Sequence, residues 1–355
     1  MNVQMTIPEA GPRVATAPLL DIAGLRVAYR GLAGWTQVVR GVDLSLAPGR
    51  TLVLLGESGS GKSVTLRAIP GLLREEGARV EGHVRVGGQD VTTLPPAELL
   101  KLRGGRVGFI FQEPMTALDP VFRIGDQIAE TIVQHRGVSW RAAMATAREL
   151  FDLVQIPSAE RRLKAYPNEL SGGLRQRAMI AMAMSCEPEL LLADEPTTAL
   201  DATVQIQVLL LLREIQRERG TAMVFVTHDL GVAAEIADEV AVMYAGRIVE
   251  RGGAEQVLLY PRHPYTRALT NCVVQGSYRD QRLGELSGAP PDVSRLPPGC
   301  SFAPRCPARA EDCLRHEPDF RSLAPGHDAA CLHPSGPSAD PSSRPGVPAG
   351  SPKGH

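Results

Sequence analysis

Residues 51–63 read Thr51-Leu52-Val53-Leu54-Leu55-Gly56-Glu57-Ser58-Gly59-Ser60-Gly61-Lys62-Ser63, an aliphatic run that passes into a glycine-rich turn closed by Lys-Ser. A short apolar strand, then this turn, then a helical pattern from Val64, is the context that the phosphate-binding pattern G-x-x-x-x-G-K-[ST] requires. Gly56, Gly59 and Gly61 let the backbone, with Ser58 and Ser60, wrap a polyphosphate with successive N–H groups inward. The following helix offers the positive end of its dipole. Lys62 is expected on the β- and γ-phosphates and the Ser63 hydroxyl on Mg²⁺. A chance glycine-rich turn is the alternative, and the complete pattern in its strand-loop-helix setting argues against it.

Further aliphatic runs, Val107 to Phe111, Leu190 to Ala193, Met223 to Thr227 and Val240 to Met243, have the length and composition of strands buried on both faces of a parallel sheet. Helical patterns separate them. Ser139 can cap a helix whose apolar positions Trp140, Ala143, Met144, Ala147, Phe151 and Val154 recur at i, i+3/i+4, the mark of a core-facing stripe. Strands alternating with helices predict a wound α/β domain. The mostly helical stretch from about Pro114 to Cys186 is expected to be an inserted subdomain, and no internal repeat is visible.

The run Leu190 to Ala193 ends in Asp194 and Glu195. At the carboxyl end of a strand Asp194 can hold Mg²⁺, usually through water, while Glu195 points at the γ-phosphate to polarise an attacking water. Such pairs are often solvated turns; beside a phosphate loop the functional reading is favoured. Leu170-Ser171-Gly172-Gly173-Leu174-Arg175-Gln176-Arg177 opens a helix, so Ser171 and its glycines can form a second anion-binding helix terminus. Gln112 follows the run Val107 to Phe111, where its amide can meet Mg²⁺ or the lytic water, and His228 follows Met223 to Thr227, where it can hydrogen-bond the γ-phosphate. A helix cap, a loop amide and a surface histidine are the bland readings of these three.

The chain has 355 residues, with 38 Lys+Arg against 39 Asp+Glu, so the basic excess that phosphate neutralisation on nucleic acid requires is missing. Direct nucleic-acid binding is not expected. No apolar run approaches the roughly 18 residues that a membrane helix needs, and Met1 to Pro18 lacks the basic start and apolar core of a secretory signal. A cytosolic protein is therefore expected. With 35 Gly and 29 Pro, many connections must be tight or irregular. The stretch from Pro334 to His355 is almost wholly Pro, Ser, Gly and small residues, a composition expected to be disordered.

Of six cysteines, Cys186 and Cys272 stand alone, whereas Cys300, Cys306, Cys313 and Cys331 crowd one Pro- and Arg-rich stretch. A disulfide framework does not suit a reducing compartment. Buried free thiols, a Cys₄ zinc site and an iron–sulfur cluster all remain open, because the C-x2-C spacing of zinc ribbons and ferredoxins is absent. A metal would replace the core that so Pro-rich a lobe lacks.

Taken together these motifs resemble the ATP-binding cassette (ABC) transporter ATPases over roughly Leu19 to His333. In that pattern Tyr29 matches the aromatic that stacks on adenine, Gly56 to Ser63 the Walker A loop, Gln112 the Q-loop and Ser171 to Gln176 the signature. Asp194 and Glu195 match Walker B and the catalytic base, Thr198 to Asp201 the D-loop, and His228 the switch histidine. Leu174 departs from the commonest signature, where Gln follows the glycines. Phe111 to Pro120, Tyr260 to Thr266 and Leu296 to Cys306 look like the oligopeptide, dipeptide and nickel importer ATPases.

The resemblance implies a RecA-like P-loop ATPase core with an antiparallel β subdomain, an inserted helical subdomain and a small Cys-rich C-terminal lobe. The implied division is an N-terminal extension over 1–18, an ATPase domain over 19–270 with its helical part at about 114–186, a Cys-rich domain over 271–333 and a tail over 334–355. ATP and Mg²⁺ would be used by Tyr29, Gly56, Ser58, Gly59, Ser60, Gly61, Lys62, Ser63, Asp194, Glu195, His228, Gln112 and, from a facing cassette, Ser171, Gly172, Gly173, Gln176 and Asp201. Similar lobes in this family can carry a [4Fe–4S] cluster, which favours iron over Zn²⁺ at Cys300, Cys306, Cys313 and Cys331. The implied partners are a second, different ATPase subunit in a heterodimer, two transmembrane permeases and an extracytoplasmic substrate-binding protein. The subunit would then sit peripherally on the cytoplasmic face of the membrane and power import, most readily of di- or oligopeptides. A soluble ABC ATPase of nucleic-acid metabolism would show tandem cassettes, a long coiled coil or basic arms, none of which is visible; one serving iron–sulfur assembly is suggested by the cysteines but not by the importer-like segments.

Overall fold

The aliphatic runs become the middle of an eight-stranded sheet. In this computed structural model, which describes residues 17–31, 34–198, 200–274 and 288–334, the central parallel strands are β3 (Thr51–Leu55), β6 (Val107–Ile110), β7 (Leu190–Asp194), β8 (Ala222–Thr227) and β9 (Glu239–Tyr244). Side chains alternate across a strand, and both faces of these are covered. Val53, Leu55, Leu191, Ala193, Met223 and Phe225 enter one core, whereas Leu52, Leu54, Leu190, Leu192, Val224 and Val226 enter the other. That is why the runs read as continuously apolar rather than alternating.

Three antiparallel strands complete this sheet, β10 (Arg247–Gly253), β11 (Arg321–Ala324) and β12 (His327–Ala329), giving the order β11-β12-β10-β9-β3-β8-β7-β6. The C-terminal hairpin thus joins the central sheet directly, through Glu250↔Ala329, Arg251↔Asp328 and Gly252↔His327. A second, antiparallel sheet of β1 (Leu20–Gly31), β2 (Gly34–Leu46), β4 (Arg79–Val86) and β5 (Gln89–Asp90) runs in the order β2-β1-β4-β5. Its buried Leu20, Leu25, Val27, Val39, Val42 and Val84 share the core of Leu52 and Leu54.

Helix α1 (Lys62–Ala68) follows the phosphate loop, and α2 (Pro96–Leu102) precedes β6. The stretch between β6 and β7 is helical: α3 (Ile124–Arg136), α4 (Trp140–Leu153), α5 (Ala159–Leu163) and α6 (Gly172–Ala183). Ser139 caps α4 as expected, its Oγ accepting from Ala142 N at 3.3 Å. Ala143, Ala147, Phe151 and Val154 are buried, but Trp140 is 49% exposed, so the stripe begins one turn later than its spacing suggested. Trp140 is the first residue of α4, ahead of the turn that packs. The remaining helices are α7 (Ala202–Arg219), α8 (Leu230–Ile236), α9 (Ala254–Leu259) and α10 (Pro264–Val274). Nearly all of the expected N-terminal extension and the expected tail lie outside the described residues, as does the side chain of Cys272. Among the described residues no helix is long and apolar enough to cross a membrane.

Candidate functional site

The strand order sets the site. Because β9, β3, β8, β7 and β6 lie side by side and parallel, the segments leaving their carboxyl ends also form a row, the place where open α/β sheets bind ligands. Gly56 leaves β3, His228 leaves β8, Asp194 and Glu195 close β7, and Gln112 lies two residues past β6.

The phosphate loop is held open by glycine. Gly61 has φ +103°, and a Cβ there would meet Met243 Cε at 2.9 Å and Val38 O at 3.0 Å. At Gly56 a Cβ would sit 2.3 Å from Met243 O. Ser58 and Gly59 face solvent, whereas Ser60 is 5% exposed and its Oγ has no hydrogen-bond partner. An orphaned buried hydroxyl in such a loop marks space for an acceptor.

Lys62 is 4% exposed and folds back over the loop, donating to Gly56 O at 2.8 Å and Glu57 O at 2.9 Å. Its Nζ lies 3.9 Å from Glu195 Oε1. Burial pulls the Lys62 pKa down, opposed by the charges of Glu195, Asp194 and Glu57. The Ser63 hydroxyl donates to Asp194 Oδ1 at 2.8 Å. Burial pushes the Asp194 pKa up, against that hydrogen bond. Two oxygen donors in contact, one of them a carboxylate short of counter-charge, form a donor set that suits a hard divalent cation.

Glu195 stands in the left-handed region, φ +43°, a conformation that costs a non-glycine residue energy and occurs at functional sites. Its backbone N–H donates to Val226 O at 3.1 Å. Its Oε2 accepts from the Thr198 hydroxyl at 3.1 Å and lies 3.2 Å from His228 Nδ1. Lys62, Ser63, Asp194, Glu195 and His228 therefore form one connected group. Thr198, read in the sequence only as the start of the D-loop match, orients the carboxylate, a role that a threonine three residues on does not announce by its spacing.

Other predicted residues stand apart from this group. Ser171 caps α6, its Oγ accepting from Leu174 N at 3.4 Å. Asp201 caps α7, accepting from Thr203 N at 3.1 Å and Val204 N at 3.0 Å. The two caps adjoin, since a Cβ on Gly173 would lie 2.8 Å from Val204 Cγ1, and Gly172 and Asp201 are exposed. Among the described residues no hydrogen bond or ion pair joins Ser171, Gly172 or Gly173 to the loop 56–63. Gln176, expected at the nucleotide, is 1% exposed with Nε2 unpartnered, so its amide does not reach the surface that Ser171 and Gly172 share. Gln112 is exposed. Tyr29 donates to Glu76 Oε2 at 3.0 Å, and burial, helped by that bond, pushes its pKa up to about 12.

The C-terminal lobe reaches the loop at Glu57, a contact the sequence did not announce. Tyr265 OH accepts from the Glu57 N–H at 2.9 Å, and Arg305 forks the Glu57 carboxylate at 2.6 and 2.9 Å. The signal available was an arginine with no charged neighbour between Cys300 and Cys306. The four clustered cysteines line one small pocket with His263, Phe302 and His333, and the four thiols are free. Burial, then the neighbouring Cys300, Cys306 and Cys313, push the Cys331 thiol up to about 11. Among the described residues the one group of three metal-capable side chains within 4.8 Å of one another is Asp312, Cys313 and His333. His327 is instead committed to Glu250, Nε2 to Oε1 at 2.7 Å.

The chain matches the ABC transporter family over residues 39–198 and the C-terminal region of oligopeptide/dipeptide transporters over residues 249–313. It is 47% identical to a putative peptide import ATP-binding protein of Brucella melitensis over 89% of this chain and 97% of that one. It is 45% identical to the oligopeptide transport ATP-binding protein OppD of Salmonella typhimurium, over 94% and 98%. Among solved structures it resembles the dimeric ATP-binding cassette MJ0796 in a post-hydrolysis state with ADP and phosphate, with TM-score 0.60 and 28% identity over 66% of this chain and 98% of that one.

Proposed function

The chain belongs to the ABC transporter ATPases with the oligopeptide/dipeptide-type C-terminal region, and we propose that it powers peptide import by hydrolysing ATP at the loop Gly56–Ser63. The observation that carries this is the connected group of Lys62, Ser63, Asp194, Glu195 and His228 at the carboxyl ends of three adjacent strands.

Phosphoryl transfer needs positioning and charge stabilisation more than covalent chemistry. Gly56, Ser58, Gly59, Ser60, Gly61 and Lys62 hold the phosphates; with nucleotide present Lys62 exchanges its two loop carbonyls for phosphate oxygens. Ser63, Asp194 and Gln112 would hold Mg²⁺, which when bound neutralises phosphate charge. Glu195 polarises the attacking water, with Thr198 and His228 fixing its carboxylate, and Tyr29 packs on the base. Ser171, Gly172, Gly173 and Asp201 serve the nucleotide of a facing cassette. What supports a two-cassette motor is the exposure of Gly172 and Asp201 beside each other at adjoining helix caps and the likeness to a dimeric cassette.

The finer architecture is proposed on the same footing. Residues 19–270 form the ATPase domain, its helical part at about 114–186, and residues 271–333 the Cys-rich domain. The facing cassette is a second, different ATPase subunit. Two permeases and an extracytoplasmic binding protein complete the transporter and hold this subunit on the cytoplasmic face of the membrane. The four thiols take a [4Fe–4S] cluster. What supports a metal there is that the four thiols line one small pocket. The test is ATP-driven peptide uptake into vesicles carrying the assembled transporter, with metal and sulfide analysis of anaerobically purified protein. Uptake that persists without this subunit would refute the import role, and stoichiometric zinc without sulfide would refute the cluster.

A further inference from the structure

Glu57 places a carboxylate inside a loop built to receive a polyanion. Its charge is felt at the loop lysine, being one of the three anions that hold up the Lys62 pKa against burial. Unopposed, it would repel phosphate. The opposing charge comes from 248 residues away: Arg305 meets it with two parallel N–H···O bonds of 2.6 and 2.9 Å, and the guanidinium side chain is only 6% exposed. Forked pairs of this kind are strong and geometrically selective.

Arg305 has little freedom. It ends a single 3-10 turn, Ala303–Arg305, whose N–H donates to Phe302 O at 3.0 Å. Phe302 is 2% exposed and packs on Tyr244 and Tyr265 with ring centroids 5.3 and 5.4 Å apart. The Arg305 guanidinium carbon lies 5.9 Å from the Tyr244 ring centre. Tyr265, from the same aromatic group, accepts the Glu57 backbone N–H. The turn itself lies between Cys300 and Cys306, where Cys300 N donates to Cys313 O at 2.8 Å.

We propose that Arg305 is a positioning residue for nucleotide binding, which neutralises and immobilises Glu57 so that the phosphate loop can accept a polyphosphate. The C-terminal lobe is by this account part of the ATP site. The inference rests on the loop 56–63 being that site.

The test measures affinity of the full-length chain for a fluorescent ATP analogue in Arg305→Gln, Arg305→Lys, Glu57→Gln and the double variant Glu57→Gln/Arg305→Gln. Arg305→Gln should bind roughly tenfold more weakly, an effect that shrinks as salt screens the bare carboxylate. Arg305→Lys should recover part of the loss. Glu57→Gln should bind more tightly than wild type, and the double variant should return to within about twofold of it. Wild-type affinity in Arg305→Gln, or a double variant as weak as the single, overturns the proposal, because a purely structural brace is not repaired by deleting its other half. Should Arg305→Gln fail to fold, Glu57→Gln alone decides: weaker binding than wild type overturns it. Failure of the wild-type chain to bind the analogue would instead refute the ATP reading.

Discussion

The Glu195 carboxylate lies between His228 and Lys62, with His228 Nδ1 3.2 Å from its Oε2 and Lys62 Nζ 3.9 Å from its Oε1. A base held from both sides is oriented before substrate arrives. Glu195→Gln should therefore bind ATP with near-normal affinity yet lose at least ~10²-fold in turnover within the assembled transporter. Steady-state hydrolysis alongside nucleotide binding checks this; near-normal turnover would remove Glu195 from the base role.

Lys62 is buried for binding rather than for folding, since its ammonium is taken from water to meet two carbonyls of its own loop. Lys62→Met should leave the melting temperature of the nucleotide-free chain within a few degrees of wild type. The rise in melting temperature that saturating ATP gives the wild-type chain should disappear. A large loss of stability without nucleotide would contradict this.

His263 is 2% exposed, and burial lowers its pKa from 6.5 to about 4. Its Nδ1 accepts from Tyr265 N at 3.0 Å, which requires that nitrogen to be unprotonated. Between the two pKa values the unfolded chain binds more protons than the folded one, so stability rises with pH there. The contribution is complete above about pH 6.5 and is lost as pH falls towards 4, to a total of about 3 kcal/mol. Urea unfolding from pH 4.5 to 7.5 should show this slope, and His263→Asn should flatten it. An equal slope in the variant would assign it elsewhere.

Glu250 has no exposed surface and accepts from Arg262 N at 2.6 Å, His263 N at 2.9 Å and His327 Nε2 at 2.7 Å. It joins β10 to both the segment before α10 and the C-terminal hairpin. Glu250→Ala strands three donors and should cost about 3 kcal/mol or more, whereas Glu250→Gln keeps one acceptor oxygen, enough for Arg262 N and His327 Nε2 but not for His263 N, and should cost less. Cysteine accessibility to a thiol reagent should rise in Glu250→Ala as the lobe loosens; unchanged accessibility would show the lobe held by other contacts.

What the sequence revealed followed from local physics. The five central strands match the aliphatic runs to within one residue because burial on both faces leaves no room for polar positions. The phosphate loop was legible because its glycines answer local demands: a Cβ on Gly56 or Gly61 would meet a close neighbour, and Gly59 takes a positive φ of +78°. The burial of Gln176 was not legible: from Gln176 to Ala183 nearly every residue of α6 is buried, and a motif position does not show which side of a helix start faces inward. Glu57 with Arg305, and Glu250 with His327, lie 248 and 77 residues apart. No periodicity links them, and only the strand order that folds the C-terminal hairpin onto β10 brings them together.

That hairpin has a consequence for how the chain can be shortened. β12 occupies the hydrogen-bonding flank of β10, a strand whose Ile248, Val249 and Glu250 are buried. A version cut before residue 288 would expose that flank as an unpaired edge carrying apolar side chains and a carboxylate without its histidine. Such an edge templates strand addition from a second molecule. The shortened protein would be a sticky one rather than a minimal one, and its failure in solution would say nothing about the chemistry of the phosphate loop.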